Sequence, residues 1–135
     1  MDGPSPEMRV LAQRLLALEA ASQPASDSPG HVGVQVCEKL RFSLTRFAGP
    51  DGFTALLRRA LVLARAEVSS LETVEVKADG RLDGFEKIAA DAANGGTEAA
   101  IAIIAHLLGL LATFIGEPLT HRLVREARPE LSADE

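Results

Sequence analysis

Apolar side chains recur every three or four residues over most of the chain, which is the spacing of amphipathic helices. The first stripe follows a Ser-Pro helix start and predicts an N-terminal helix over residues 6–21. Residues 22–30, rich in Ser and Pro, predict a linker, and two further helices are expected on either side of a break at residues 48–50. The expected core-facing residues of these helices include Met8, Leu11, Leu15, Leu18, Val36, Cys37, Leu40, Leu44, Phe47, Phe53, Leu56, Leu57, Ala60, Leu61, Ala64 and Val68.

The pattern changes in the second half of the chain. Val74 and Val76 alternate with charged neighbours before an Asp-Gly turn, which predicts a short extended piece or hairpin near residues 72–82. Asp83 is then expected to cap a short helix that ends near residue 93. A final amphipathic helix is expected from Leu119 to about residue 128, followed by a frayed tail over 129–135.

The most apolar segment, residues 99–116, holds 18 residues without a formal charge and predicts a helix over 98–116. A membrane-spanning helix needs roughly 20 apolar residues, so a membrane span is an alternative for this segment. A core helix is favoured instead, because the segment contains His106 and because the apolar stripes of the other helices need a partner to pack against. We therefore predict a single all-α domain (1–135) with a helical core over 31–128. Five to six helices would surround the central apolar helix, with a membrane-associated protein as the second interpretation.

Composition narrows the class of protein. The chain has one Cys, no Trp and no Tyr, which excludes an internal disulfide framework and leaves few aromatic platforms for nucleic-acid bases. The N-terminal residues carry acids and lack an apolar run, so we expect no secretory signal and a cytoplasmic protein. No phosphate-binding loop or catalytic triad is legible, so we expect no cofactor and no enzyme activity.

Charge is unevenly placed along the chain. Residues 39–65 carry six basic side chains against one acid, whereas residues 67–117 carry nine acids against three basic residues. Solvated faces that neutralise each other are one explanation, and a basic face that steers an acidic protein partner is the other. Nucleic acid is disfavoured because the whole chain has a net charge of −5. The candidate interaction residues are Arg58, Arg59, Arg65, Arg122 and Arg125.

Small side chains collect on one face of the central apolar helix. Ala105, Gly109, Ala112 and Gly116 follow one another at helical spacing and allow a second backbone to approach closely. A glycine inside a helix costs about 1 kcal/mol relative to alanine, so something should compensate for it. These residues predict a helix-packing seam, formed either within the chain or between two copies in a homodimer.

His106 is the only residue that could carry a reaction. Its segment resembles the phosphorylated helix of histidine phosphotransfer domains, in which Lys and Gly follow three and four residues after the His and a second Gly follows ten residues after it. Gly116 stands at the distant position, while Gly109 and Leu110 replace the Lys and the nearer Gly. The resemblance implies that His106 is a phosphoacceptor, whereas the apolar segment predicts a core histidine hydrogen-bonded through one nitrogen.

Residues 79–90 resemble half of an EF-hand calcium loop. Asp79, Asp83 and Gly84 fit its positions 1, 5 and 6. Arg81 replaces the third ligand and Ala90 replaces the bidentate glutamate, so Asp79 and Asp83 are weak candidates for a metal site. A turn followed by a helix cap is the alternative.

Residues 106–124, with the Gly-Pro-Asp-Gly-Phe segment at 49–53 and Val-Lys-Ala-Asp-Gly at 76–80, resemble a group of small hypothetical bacterial proteins. The resemblance implies a bacterial, cytosolic origin and no assigned activity. Combined with the helical pattern, it predicts a non-enzymatic interaction or adaptor module that self-associates in a signalling or regulatory context. A phosphotransfer-like domain is the first alternative.

Overall fold

The structure, a computed structural model, is mostly helical, as the all-α pattern predicts. It describes residues 6–22, 29–78, 82–84 and 95–127. Four α-helices make up most of this part of the chain: α1 (Pro6–Ser22), α2 (Pro29–Glu67), α3 (Gly95–Ile115) and α4 (Glu117–Ala127). Ser22 and residues 29–30, at the two ends of the predicted linker, are helical, and residues 23–28 and 128–135 lie outside the described chain.

Helix α2 is divided by a sharp change of backbone direction at Gly49. Its φ of 85° and ψ of 160° are non-helical, and the next residue is Pro50, which has no amide hydrogen to donate. Thr54 stabilises the first turn of the helix after this break, because its hydroxyl donates a hydrogen bond to the Pro50 carbonyl at 2.8 Å. The predicted break at 48–50 is therefore confirmed, and it separates a first half (residues 29–48) from a second half (residues 50–67).

Helix α3 lies at the centre of the fold and contacts α1, α2 and α4. Its middle is almost entirely buried, including Ile103, Ile104, Leu107 and Leu108 with no measurable exposure. Leu15 of α1 packs into the same core as the second half of α2 and Val124 of α4. An all-apolar helix is buried here because amphipathic helices cover it on several sides.

Two short strands form the predicted hairpin. β1 (Glu75–Val76) pairs antiparallel with β2 (Leu82–Asp83), with Val76 opposite Leu82. A 3₁₀ helix (Ser69–Thr73) joins α2 to β1. Gly84 follows β2 with a φ of 91°, a backbone conformation that favours glycine. A Cβ at this position would also lie only 3.0 Å from the Thr73 carbonyl oxygen, so a larger side chain would be crowded. The expected helix after Asp83 falls on residues 85–93, outside the described chain.

Two sequence expectations are wrong in detail. Phe47, placed on the buried stripe of α2, is 48% exposed, because the stripe ends where the helix approaches its break at Gly49. The central helix spans Gly95–Ile115 rather than 98–116, and Gly116 lies outside it with a φ of 91°. Gly116 thus ends α3 and lets α4 begin at the next residue.

Candidate functional site

A polar cluster ties three helices together beside the apolar core. His106 of α3 places Nε2 2.7 Å from Oε2 of Glu67, at the end of α2. Arg9 of α1 contacts both carboxylate oxygens of Glu67 through one guanidinium nitrogen, at 3.0 Å each. One carboxylate therefore joins α1, α2 and α3.

The electrostatics of the cluster favour an ionised Glu67. Partial burial of the carboxyl group opposes its ionisation, but the hydrogen bonds from His106 and Arg9 and the positive charge of Arg9 outweigh this effect and lower its pKa. Because an ionised carboxylate only accepts hydrogen bonds, Nε2 of His106 carries the proton that it donates. The predicted hydrogen bond through one histidine nitrogen therefore has Glu67 as its acceptor.

The chemistry open to His106 is limited by access. Its side chain is only 5% exposed, whereas a phosphoacceptor histidine must be reached by the active site of a second protein. Its Nε2 is also held by Glu67 in a short bond. The arrangement suits a structural tie between helices, and burial argues against phosphotransfer.

The sequence stripes contain a signal for these partners. Ala60 and Ala64 face the core, and Glu67 continues their inward stripe three residues later. On α1, Arg9 stands three residues before buried Ala12 and so lies on the same side of the helix. A charged residue that extends a buried stripe needs a partner, but neither residue was singled out from the sequence.

The five predicted interaction arginines differ in their exposure and contacts. Arg58 and Arg59 are exposed and make no ion pair within the described chain. Arg65 is half-buried and donates to the backbone carbonyls of Leu71 and Val74, so it anchors the 3₁₀ segment instead of facing a partner.

The two remaining arginines lie on α4. The side chain of Arg122 is 73% exposed. Its Nε lies 4.0 Å from Oε2 of Glu126, one helical turn away, which is at the distance limit of an ion pair. Arg125 is half-buried. No described hydrogen bond or ion pair connects these two residues with Arg58 or Arg59, whereas Arg46 of the basic stretch lines a pocket together with Arg122.

The predicted small-residue seam is only partly continuous. Ala105 is fully buried, whereas Gly109 and Ala112 are half-buried. Thr113 donates its hydroxyl to the Gly109 carbonyl at 3.0 Å within the helix. Gly116 is explained by its backbone conformation as a helix terminator, and its carbonyl accepts from both the amide and the hydroxyl of Thr120.

The weak metal candidates gain no support from the described residues. Asp83 is exposed in β2 and stands opposite Glu75, while Asp79 lies outside the described chain. Within the part that the structure describes, no three His, Cys, Asp or Glu side chains are grouped as a metal site would require. Two facing carboxylates alone do not make such a site.

A groove runs between the first half of α2 and α4. Two adjoining pockets form it, and both are lined by Ser43, Arg46 and Glu126. Phe42 borders one pocket and Phe47 the other, with exposed fractions of 68% and 48%. We call this feature the α2–α4 groove and define it by Phe42, Arg46, Phe47, Leu119, Arg122 and Glu126.

Sequence reasoning did not find the groove. It assigned Phe47 to the core and left Phe42 unassigned, because a helical stripe does not show where a neighbouring helix stops covering it. Arg46 lies between the two phenylalanines and makes no ion pair within the described chain. Aromatic and arginine side chains are enriched in protein interfaces, so this combination is a candidate for a binding surface.

One helix in the described chain, α3, is long and apolar enough to cross a membrane. The qualifying segment is Glu98–Ile115, and 56% of this segment is buried inside the fold. Core helices of globular proteins pass the same test, so it is weak support for a membrane protein. Comparison of the chain with models of known families, with curated proteins and with solved structures found no match. Function must therefore be argued from the geometry of this chain.

Proposed function

We propose that the chain is a non-enzymatic interaction module of the adaptor type, which binds a protein through the α2–α4 groove. The observation that carries this proposal is the pair of exposed phenylalanines, Phe42 and Phe47, on the borders of one groove. Covering both rings would remove apolar surface from water at about 25 cal/mol per Å².

The composition of the groove supports protein binding over small-molecule binding. A small-molecule pocket encloses most of its ligand, whereas this groove is shallow and lies along two helices. Phe42, Arg46 and Phe47 provide aromatic and guanidinium groups, which are enriched in protein interfaces. Charged Arg122 and Glu126 on the α4 side provide a polar rim.

An exposed stripe on the second half of α2 supports the acidic-partner part of the proposal. Val62 is 53% exposed and stands one helical turn after Arg58 and Arg59, which make no ion pair with any described residue. Such a stripe would accelerate the approach of an acidic protein, while the groove supplies the contact. Reversing Arg58 and Arg59 to Glu is expected to slow association and to remove its salt dependence.

Site-specific photo-crosslinking tests the groove. Benzoylphenylalanine at position 42 should give a covalent adduct in cells, whereas the same probe at position 114 should not, although Phe114 is exposed to 70%. Phe47→Ser in the position-42 variant should abolish the adduct. Equal adducts at both positions, or none at position 42, would contradict the proposal.

The alternative of a phosphotransfer-like domain rests on His106 and its resemblance, and it requires the ring to become accessible. Phosphate uptake from a phosphorylated receiver domain, lost in His106→Gln, would establish it. The 5% exposure of the ring weighs against this outcome.

Three broader expectations complete the proposal. We infer a bundle of five to six helices, in which the two halves of α2 count separately and residues 85–93 supply a sixth. We also propose a bacterial and cytoplasmic protein, following the resemblance of residues 106–124 to small hypothetical bacterial proteins.

A further inference from the structure

We infer that the α2–α4 groove pairs with a second copy of this chain across a two-fold axis. The inference rests on the proposed function, since it names the occupant of the same groove. In a two-fold interface one surface patch faces an identical patch, so it must be complementary to itself. Two properties of the groove meet this condition.

The first property is that the groove carries charges of both signs. Arg46, Arg122 and Lys39 contribute positive charge, and Glu126 and Glu38 contribute negative charge. Arg46 has no ion pair within the described chain, and the 4.0 Å pair between Arg122 and Glu126 is loose and exposed. Glu126 can therefore accept an arginine from another copy at little cost. A purely acidic partner would leave the Glu126 carboxylate facing like charge.

The second property is that no other described residue covers the apolar part of the groove. Phe42 borders one pocket of the groove and Phe47 the other, and the Phe47 pocket is also lined by half-buried Leu119 and buried Leu123. A second copy brings an identical pair of phenylalanines, so four rings leave water in one event. When two identical patches pack across a two-fold axis, the apolar groups of one copy meet those of the other, and opposite charges meet in the same arrangement.

Charge exchange between positions 46 and 126 tests the pairing. Wild-type protein should increase in mass from one chain to two over the micromolar range in light scattering. Arg46→Glu and Glu126→Arg should each weaken the dimer by about tenfold or more, because each places like charges in contact twice. A mixture of the two variants should restore the two-chain mass, since every cross-interface contact then joins opposite charges.

Phe114→Ser provides the matched control, because Phe114 is also an exposed phenylalanine but does not line the groove. This variant should dimerise like the wild type, whereas Phe42→Ser should not. A mixture that stays monomeric while the wild type dimerises would overturn the assigned contact. A wild type that stays monomeric at hundreds of micromolar would overturn self-pairing.

Failure of this inference is distinguishable from failure of the proposed function. If the protein is monomeric and the position-42 probe crosslinks to a different protein, the groove binds a partner other than itself. If the protein is monomeric and the probe yields no adduct, both the inference and the proposed function are wrong. An adduct with twice the mass of the chain supports both.

Discussion

At the scale of single residues, Glu67 joins three helices. It accepts hydrogen bonds from His106 on α3 and from Arg9 on α1. Removing the acceptor charge leaves His106, 5% exposed, with a weaker partner. The cluster should therefore contribute measurably to stability.

We predict that Glu67→Gln lowers the free energy of unfolding by about 1–3 kcal/mol. The amide keeps the shape of the side chain but loses the ion pair to Arg9 and the charge-assisted bond to His106. Urea denaturation measures the difference. Glu72→Gln, an exposed acid in the 3₁₀ helix without a described ion pair, is the control and should stay within about 0.5 kcal/mol of the wild type.

The same residue predicts a dependence on pH. The folded pKa of Glu67 lies below its unfolded value, so its contribution is complete above that unfolded value, about pH 4.3, and is lost as the pH falls through the folded pKa. The stability gap between wild type and Glu67→Gln should therefore close in acid. Denaturation curves across this range measure it, and a gap that stays constant or widens on acidification would contradict the assignment.

Cys37 provides a second test at this scale. Burial and the neighbouring Glu38 raise the pKa of its thiol to about 12, so almost no thiolate forms in mildly alkaline buffer. We predict that thiol reagents modify Cys37 far more slowly in the native protein than in the urea-unfolded chain. Rapid native modification would mean that the first half of α2 opens readily.

At the scale of elements, Arg65 shows how a charged residue can be structural. It was predicted to face a partner, but its guanidinium satisfies the carbonyls of Leu71 and Val74 and holds the 3₁₀ segment against α2. Sequence could not show this role, since the same helix carries Arg58 at a position of similar appearance. Only the return of the chain after Glu67 distinguishes the two arginines.

We predict different costs for the two arginines. Arg65→Met should reduce stability by about 1–2 kcal/mol, because two backbone carbonyls lose a charged donor. Arg58→Met, on the exposed side of the same helix, should change it by less than about 0.5 kcal/mol. Chemical denaturation of the two variants measures the contrast. Equal losses would mean that the carbonyl contacts of Arg65 contribute nothing.

At the scale of the whole molecule, local patterns and long-range contacts were not equally predictable. Helical stripes, the break at Gly49 and the hairpin near Val76 follow from residues close in sequence, and the structure has all three. The bond between Glu67 and His106 crosses 39 positions, and that between Arg9 and Glu67 crosses 58. Such partners depend on how helices pack, as does the uncovered groove beside Phe42.

The same packing bears on the membrane alternative for α3. Its exposed residues gather at its ends, including Glu98 and Phe114, while the middle is covered by α1, α2 and α4. A membrane span would require these helices to leave and lipid to replace them. Met8, Leu11 and Leu15 of α1 would then lose their buried environment, so the cover stabilises both sides of the contact.

We therefore predict that carbonate extraction of cell membranes leaves the full-length chain in the supernatant. A variant that lacks residues 1–28 should shift toward the pellet, because it loses the α1 residues that cover α3 and exposes an apolar strip on that helix. Full-length Phe114→Ser is the control, since it changes an exposed end of α3 without uncovering its middle. If the full-length chain itself stays in the pellet, α3 lies in the bilayer and the core assignment is wrong.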